Sequence, residues 1–181
     1  MMRSPQFLAL LLVDGYNMIG AWSELQTLQR QAGLNSARDR LIELVINYAA
    51  SQDYRTRIIF DAYAQRTPAS EEQYTAHVAA HYTEFGQTAD AYIEKFCARC
   101  QRQGSAHRLI VATSDRAQQQ TVLGYDAEWL SAEQLQIRVQ KSHRKQQKRH
   151  RSARANSGRF LFNTLDPQAQ ARLTQLRYGK Q

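Results

Sequence analysis

Phe7-Leu8-Ala9-Leu10-Leu11-Leu12-Val13-Asp14-Gly15-Tyr16-Asn17 is the stretch that decides the fold. A seven-residue apolar run closed by a glycine turn reads as a strand buried on both faces, the character of strands in a parallel sheet. Its last residue emerges at the carboxyl edge, where open α/β sheets keep their ligands. Asp14 therefore stands where an acid can do chemistry, although Asp-Gly is also an ordinary turn signal.

Working outward, strand and helix signals alternate. Asn35 or Ser36 is a good N-cap for a helix carrying Leu41, Ile42, Val45, Ile46 and Ala49 at helical period. Arg57-Ile58-Ile59-Phe60 is a second buried strand and ends in Asp61. His77 to Thr83 alternates loosely, and its polarity predicts an edge strand. Thr88 caps a helix running to Gln103. Leu109-Ile110-Val111-Ala112 is a strand leading into Thr113-Ser114-Asp115 and a short helix to Leu123. Ala127-Glu128-Trp129-Leu130 is a last short strand, after which Ser131 and Gln134 resemble a capping box opening a basic helix. Asp166-Pro167 opens a final helix through Leu173 and Leu176. This alternation predicts a mostly parallel sheet with helices on both faces, in a domain over residues 1–135 with a basic helical arm over 136–181.

The 181 residues carry 24 Lys and Arg against 16 Asp and Glu, a formal net charge of +8. From Gln134 to Leu165 there is no acid, while Arg138, Lys141, Arg144, Lys145, Lys148, Arg149, Arg151, Arg154 and Arg159 fall inside that segment. Removing those nine leaves 15 cations against 16 acids, so a near-neutral domain carries a cationic arm. Arg138, Lys141, Lys145 and Lys148 are spaced i, i+3, i+7, i+10, which makes a stripe on a helix. Such a stripe, with no aromatic interleaved, grips a phosphate backbone without reading sequence. Leu135 and Val139 can dock its beginning on the domain.

Cys97 and Cys100 are too few for a disulfide framework, and with Ile93 and Phe96 they form a helical apolar stripe that favours packing over ligation. His77 and His81 would pair at i, i+4 only on a helix, so the strand reading argues against a zinc site. The N-terminal apolar run is too short for a signal peptide, and no stretch approaches the length of a membrane span. A cytoplasmic protein without an organic cofactor or membrane partner is expected.

Asp14, Asp61 and Asp115 each follow the last apolar residues of a strand, and in a parallel sheet such ends share one edge. Asp90 lies in the first turn of the Thr88 helix, with Glu94 four residues later on the same face. Asn17 adds a neutral oxygen. Acids brought together repel unless a cation sits among them, and hard oxygen ligands suit Mg²⁺ or Mn²⁺. Each acid also has a plainer role: Asp115 as a cap, Asp90 as a helix N-terminal charge, Asp61 as a turn acid, Glu94 as a solvated charge.

Leu11 to Trp22, Phe60-Asp61-Ala62, Thr88-Ala89-Asp90 with Ile93-Glu94, and Ala112-Thr113-Ser114-Asp115 together resemble the NYN domain family. The nearest branch is the YacP-like proteins, PIN-like ribonucleases that include ribosome-associated mRNA endonucleases. The resemblance covers Leu8 to Leu135 and implies a three-layer α/β/α fold and single-stranded RNA cut with divalent metal. On it, Asp14, Asp61, Asp90 and Asp115 match the acidic positions and Asn17 the amide of the opening motif. Asp14, Asp90 and Asp115, with Glu94, become the expected metal ligands. One departure is Gln87, where an acid often precedes the Thr-Ala-Asp block. A non-catalytic RNA- or ribosome-binding protein is the alternative. A small-molecule phosphatase fits less well, for no second Asp follows two residues after Asp14 and no Gly-rich phosphate loop occurs.

Overall fold

The sheet grows outward from the apolar run. The structure, a computed structural model, describes residues 7–61, 68–104 and 108–163, with side chains as far as Lys148. Strand β1 (Ala9–Asp14) lies between two parallel neighbours, β2 (Tyr54–Phe60) and β5 (Arg108–Ala112). Beyond β2 come β4 (Val78–Tyr82), parallel, and β3 (Ser70–Gln73), antiparallel; beyond β5 comes β6 (Glu128–Leu130), parallel. The order β3-β4-β2-β1-β5-β6 places the switch of direction between β1 and β5.

Side chains of successive strand residues part to opposite faces, and the core divides accordingly. Leu11, Val13, Ile58, Phe60, Ile110 and Ala112 pack on one side with helices α1 (Gly15–Ala21) and α2 (Ser23–Gln52) and the start of α5 (Ala132–Asn163). Leu12, Ile59, Leu109 and Val111 pack on the other with α3 (Ala89–Arg102) and α4 (Arg116–Gly124). The result is the expected three-layer α/β/α architecture. Cys97 is buried in the second layer and Cys100 packs partly against it, as the apolar stripe required.

Three local readings change. Gly15-Tyr16-Asn17 is not an open turn but the first residues of α1, because Asp14 caps the helix by accepting from Asn17 N–H. The helix expected from Asn35 is the second limb of α2: Gly33, at φ 88° and ψ 170°, separates it from a polar first limb in which Leu25 is buried. Strand β3 has no apolar run to announce it. It covers the far side of β4, so β4 is an interior strand rather than an edge. The helix at Asp166-Pro167 lies outside the described residues.

Helix α5 begins inside the core. Leu135 and Val139 are buried, each contributing roughly 1.5–3 kcal/mol, and the Trp22 indole N–H donates to the Ala132 carbonyl at 2.9 Å. Ser131 and Gln134 exchange the reciprocal hydrogen bonds of a capping box. The chain divides into two compact units, Met1–His143 and Arg144–Gln181. Among the described residues no helix is long and apolar enough to cross a membrane.

One close approach fixes α1. A Cβ on Gly15 would meet the Phe60 ring and lie 2.9 Å from the Ile59 carbonyl oxygen, whereas one on Gly20 would meet nothing within 4 Å. Gly15→Ala is expected to cost about 1–3 kcal/mol through overpacking, lowering the melting temperature by about 2–4 °C per kcal/mol, while Gly20→Ala is neutral or stabilising by up to about 1 kcal/mol. Equal melting temperatures for the two variants would refute that close packing.

Candidate active site

Asp14 closes β1 at the carboxyl edge and is only 3% exposed. Its two oxygens are both engaged by Asn17: Oδ1 accepts from the backbone N–H at 3.0 Å and Oδ2 from the side-chain amide at 2.7 Å. Burial pushes the Asp14 carboxyl up to about 6, against the pull of those two hydrogen bonds, and the charges of Asp90 and Asp61 add to the rise. Asn17 is held in turn by Ser114 beyond β5, whose hydroxyl donates to its Oδ1.

Asp61 follows β2 directly, and its Oδ1 accepts from the Ala89 N–H at the start of α3. Burial raises its pKa and that hydrogen bond opposes the rise. Thr88 caps α3 by accepting from Ala91 N–H at 3.2 Å, so Asp90 in the first turn projects at the same edge. Burial raises the Asp90 pKa, and the charges of Asp115 and Asp61 raise it further. Asp90 is thus in electrostatic contact with all three other aspartates. Asp115 caps α4, its Oδ1 accepting from Ala117 at 2.6 Å and Gln118 at 3.2 Å.

Two adjoining hollows divide these residues. A cleft of about 550 Å³ is lined by Asp14, Asn17, Asp61, Asp90 and Ser114, together with Tyr16, Gly20 and Ala21 of α1 and Thr88 and Ala89 of the α3 start. A smaller groove of about 180 Å³ holds Asp90 again, with Glu94 and Asp115. Asp90 is the shared wall. Glu94 lies outside the larger cleft and accepts from the Tyr125 hydroxyl at 3.4 Å. Gln87 does not line either hollow; its carbonyl accepts from the Thr83 hydroxyl at 2.7 Å, so the residue serves the turn before α3.

Sequence reasoning missed Tyr16 and the Ala89 N–H. Tyr16 is marked only by lying two residues past Asp14 once α1 is recognised, and a backbone donor has no signature in residue type. His77 bonds Asp53 at 3.2 Å, His81 stacks on Tyr92 at 4.2 Å between centroids, and neither lines either hollow. Arg138, Lys141, Arg144, Lys145 and Lys148 are exposed on α5; Arg149, Arg151 and Arg154 lie on the same helix, with side chains outside the described ones.

The donors are all oxygen, and carboxylates that raise one another's pKa form a site that gains from a hard cation. Among the described residues no three Asp, Glu, His or Cys side chains stand close enough to hold one ion jointly. An ion held there by one or two carboxylates would have to fill its shell with water or ligand oxygens.

A family model described as the YacP-like NYN domain matches residues 11–178. The protein described as uncharacterized protein YacP, from Bacillus subtilis (strain 168), is 36% identical over 143 residues, 78% of this chain and 81% of its own length. The crystal structure of Rae1 (YacP) from Bacillus subtilis superposes with a TM-score of 0.67 at 30% identity, over 94% of this chain and 95% of that one. A mutant form of that same protein gives a TM-score of 0.69 at 29% identity, over 93% and 99%. The chain belongs to the YacP-like NYN domain family and shares its PIN-like, nuclease-type fold.

Proposed function

We propose that this protein is a metal-dependent endoribonuclease that hydrolyses single-stranded RNA, in particular mRNA on the ribosome. The observation that carries the reading is the gathering of Asp14, Asp61, Asp90 and Asp115 at one sheet edge, each of the first three with a raised pKa. Isolated caps and turn acids have no reason to be coupled in this way. The alternative, an RNA-binding protein without cleavage, leaves the coupling of Asp14 to Asp61 and Asp90 without a use.

Asp14 and Asp90 would hold the cation from the larger cleft, and Asp61 and Asp115 would act through its bound waters rather than as direct ligands. Bound there, Mg²⁺ or Mn²⁺ would supply a water of lowered pKa and offset charge on the phosphoryl oxygens. The protein's own residues do the positioning. Asn17 fixes both oxygens of Asp14, and Ser114 fixes Asn17. The Ala89 N–H fixes Asp61. Residues 1–135 carry this chemistry, and the arm over 136–181 supplies affinity through Arg138, Lys141, Arg144, Lys145, Lys148, Arg149, Arg151 and Arg154, for rRNA as well as the substrate strand.

Labelled single-stranded RNA incubated with Mn²⁺ or Mg²⁺, with and without ribosomes, is expected to be cut, and EDTA to stop cutting. Asp14→Asn and Asp90→Asn should each lower the rate at least about a hundredfold, or about 2.7 kcal/mol of transition-state stabilisation. Metal-dependent cutting that survives both substitutions would sink the assignment.

The pH dependence has a defined sign. Folded Asp14 releases its proton near 6 and the unfolded chain near about 3.9, so the metal-free native state binds the extra proton between these values and loses stability as pH rises through them. A cation needs the carboxylate and restores that loss. Mn²⁺ should therefore raise the melting temperature at about pH 7.5, raise it far less at about pH 5, and do neither in Asp14→Asn. An equal shift at both pH values would remove Asp14 from the ligand set.

Deleting residues 141–159 should weaken RNA or ribosome binding and flatten its salt dependence while the Mn²⁺ shift persists. Unchanged affinity in a salt titration would defeat the role given to the arm.

A further inference from the structure

Three of the described guanidinium groups on the domain are neutralised by carboxylates. Arg40 pairs with Glu24 and Glu43 at 2.9 and 2.8 Å, Arg57 with Glu71 at 2.8 Å, and Arg108 with Glu128. Arg38 is held differently. Its guanidinium carbon lies 5.9 Å from the centre of the Phe60 ring and 5.8 Å from that of Tyr82, two rings stacked on each other at 5.6 Å. One terminal nitrogen donates to the Asn35 side-chain oxygen, and among the described residues Arg38 forms no ion pair. Cation–π contact fixes the plane of a guanidinium without consuming the N–H donors along its edge, and that edge matches a phosphate.

The position of Arg38 gives this meaning. Phe60 immediately precedes Asp61, and the Phe60 ring packs at 5.3 Å on Tyr16, which lines the aspartate cleft. Among the described residues no Lys or Arg lines that cleft. Arg99 also lies over a ring, Phe96 at 4.9 Å, but it stands nine residues, roughly 14 Å, along α3 from Asp90. Among the described residues Arg38 is thus the unpaired ring-held cation nearest the acids.

We propose that Arg38 is a substrate-positioning residue: its ring-held guanidinium binds a backbone phosphate of single-stranded RNA flanking the phosphate in the aspartate cleft. This rests on the ribonuclease reading above. Arg38 touches no reacting atom; it sets where the strand lies, and its contact carries no base preference.

The test measures the affinity of the full-length chain for a labelled, unstructured single-stranded RNA across a salt series, in an Asp14→Asn background so that nothing is cut. Arg38→Met keeps the apolar contact with the rings and removes the charge. It should weaken binding several-fold at low salt and reduce the slope of log affinity against log salt by about 0.7, the value for one phosphate contact on a single strand. Arg38→Lys should restore the slope. Asn35→Asp leaves both rings and Arg38 in place but sets a carboxylate against the guanidinium, and it should reproduce the Met effect should Arg38→Met fail to fold. A lowered melting temperature with unchanged slope and affinity in the folded variants would show Arg38 to be only a brace between α2 and the sheet, and would overturn the proposal. No RNA binding by the chain with Arg38 intact would overturn the RNA reading itself, and this inference with it.

Discussion

The contact on which the site depends is the one that excludes a side chain at Gly15. With the Phe60 ring and the Ile59 carbonyl in the space a Cβ would take, the β1–α1 turn lies directly against the end of β2. Interiors are packed too densely for this to be relaxed by small shifts elsewhere. Three placements follow from it: Asp14 beside Asp61, Tyr16 on the Phe60 ring, and α1 with its N-terminus at the carboxyl edge. Asp14 then serves twice, as the cap that starts α1 and as the most buried of the four aspartates.

With that double use, the plain and chemical readings of the acids do not exclude each other. Asp14 and Asp115 are both helix caps and both members of the acidic edge. Capping aims a carboxylate at backbone N–H groups and fixes its rotamer, which is what a ligand needs before an ion arrives. The two sites differ in solvent. At Asp14 burial outweighs two hydrogen bonds and the carboxyl stays high; Asp61 and Asp90, less enclosed, rise in the same direction. Like charges that raise one another's pKa make an aspartate cluster without a counter-ion a standing cost.

How far the fold could be read depended on whether burial and residue type agreed. Leu11–Val13 of β1, Ile58–Phe60 of β2 and Leu109–Ala112 of β5 are enclosed, so these runs are apolar and plain; the ends of these strands located Asp14, Asp61 and the segment of Asp115. Ser70–Gln73 is exposed throughout, so nothing in its composition reports the ladder to β4, and with β3 hidden β4 could only read as an edge. The first limb of α2 buries little besides Leu25 and carries no stripe to reveal it. Helix α1 was obscured because Gly15 and Asn17, turn formers by propensity, are placed by packing and capping instead. The separation of Asp115 and Glu94 from the larger cleft depends on side-chain direction, which spacing along α3 and α4 does not fix.

Trp22 shows how affinity and chemistry are joined. An aromatic residue in a nuclease motif invites a role as a stacking platform for bases, but Trp22 is 2% exposed and its indole is spent on the Ala132 carbonyl. The segment that lines the cleft with Gly20 and Ala21 therefore ends by holding the first residue of α5. The link is buried, and breaking it would strand a polar group at about 1–3 kcal/mol. On the ribonuclease reading such an attachment matters, because a cleft whose described lining holds three aspartates and no cation repels RNA by itself. Attraction must come from residues outside that lining. It must also come from elements fixed to the cleft, since affinity contributed by a segment free to wander would not set the phosphate against Asp14. Holding the start of α5 to the residue after Ala21 meets both conditions for Arg138 and Lys141, which the first compact unit carries.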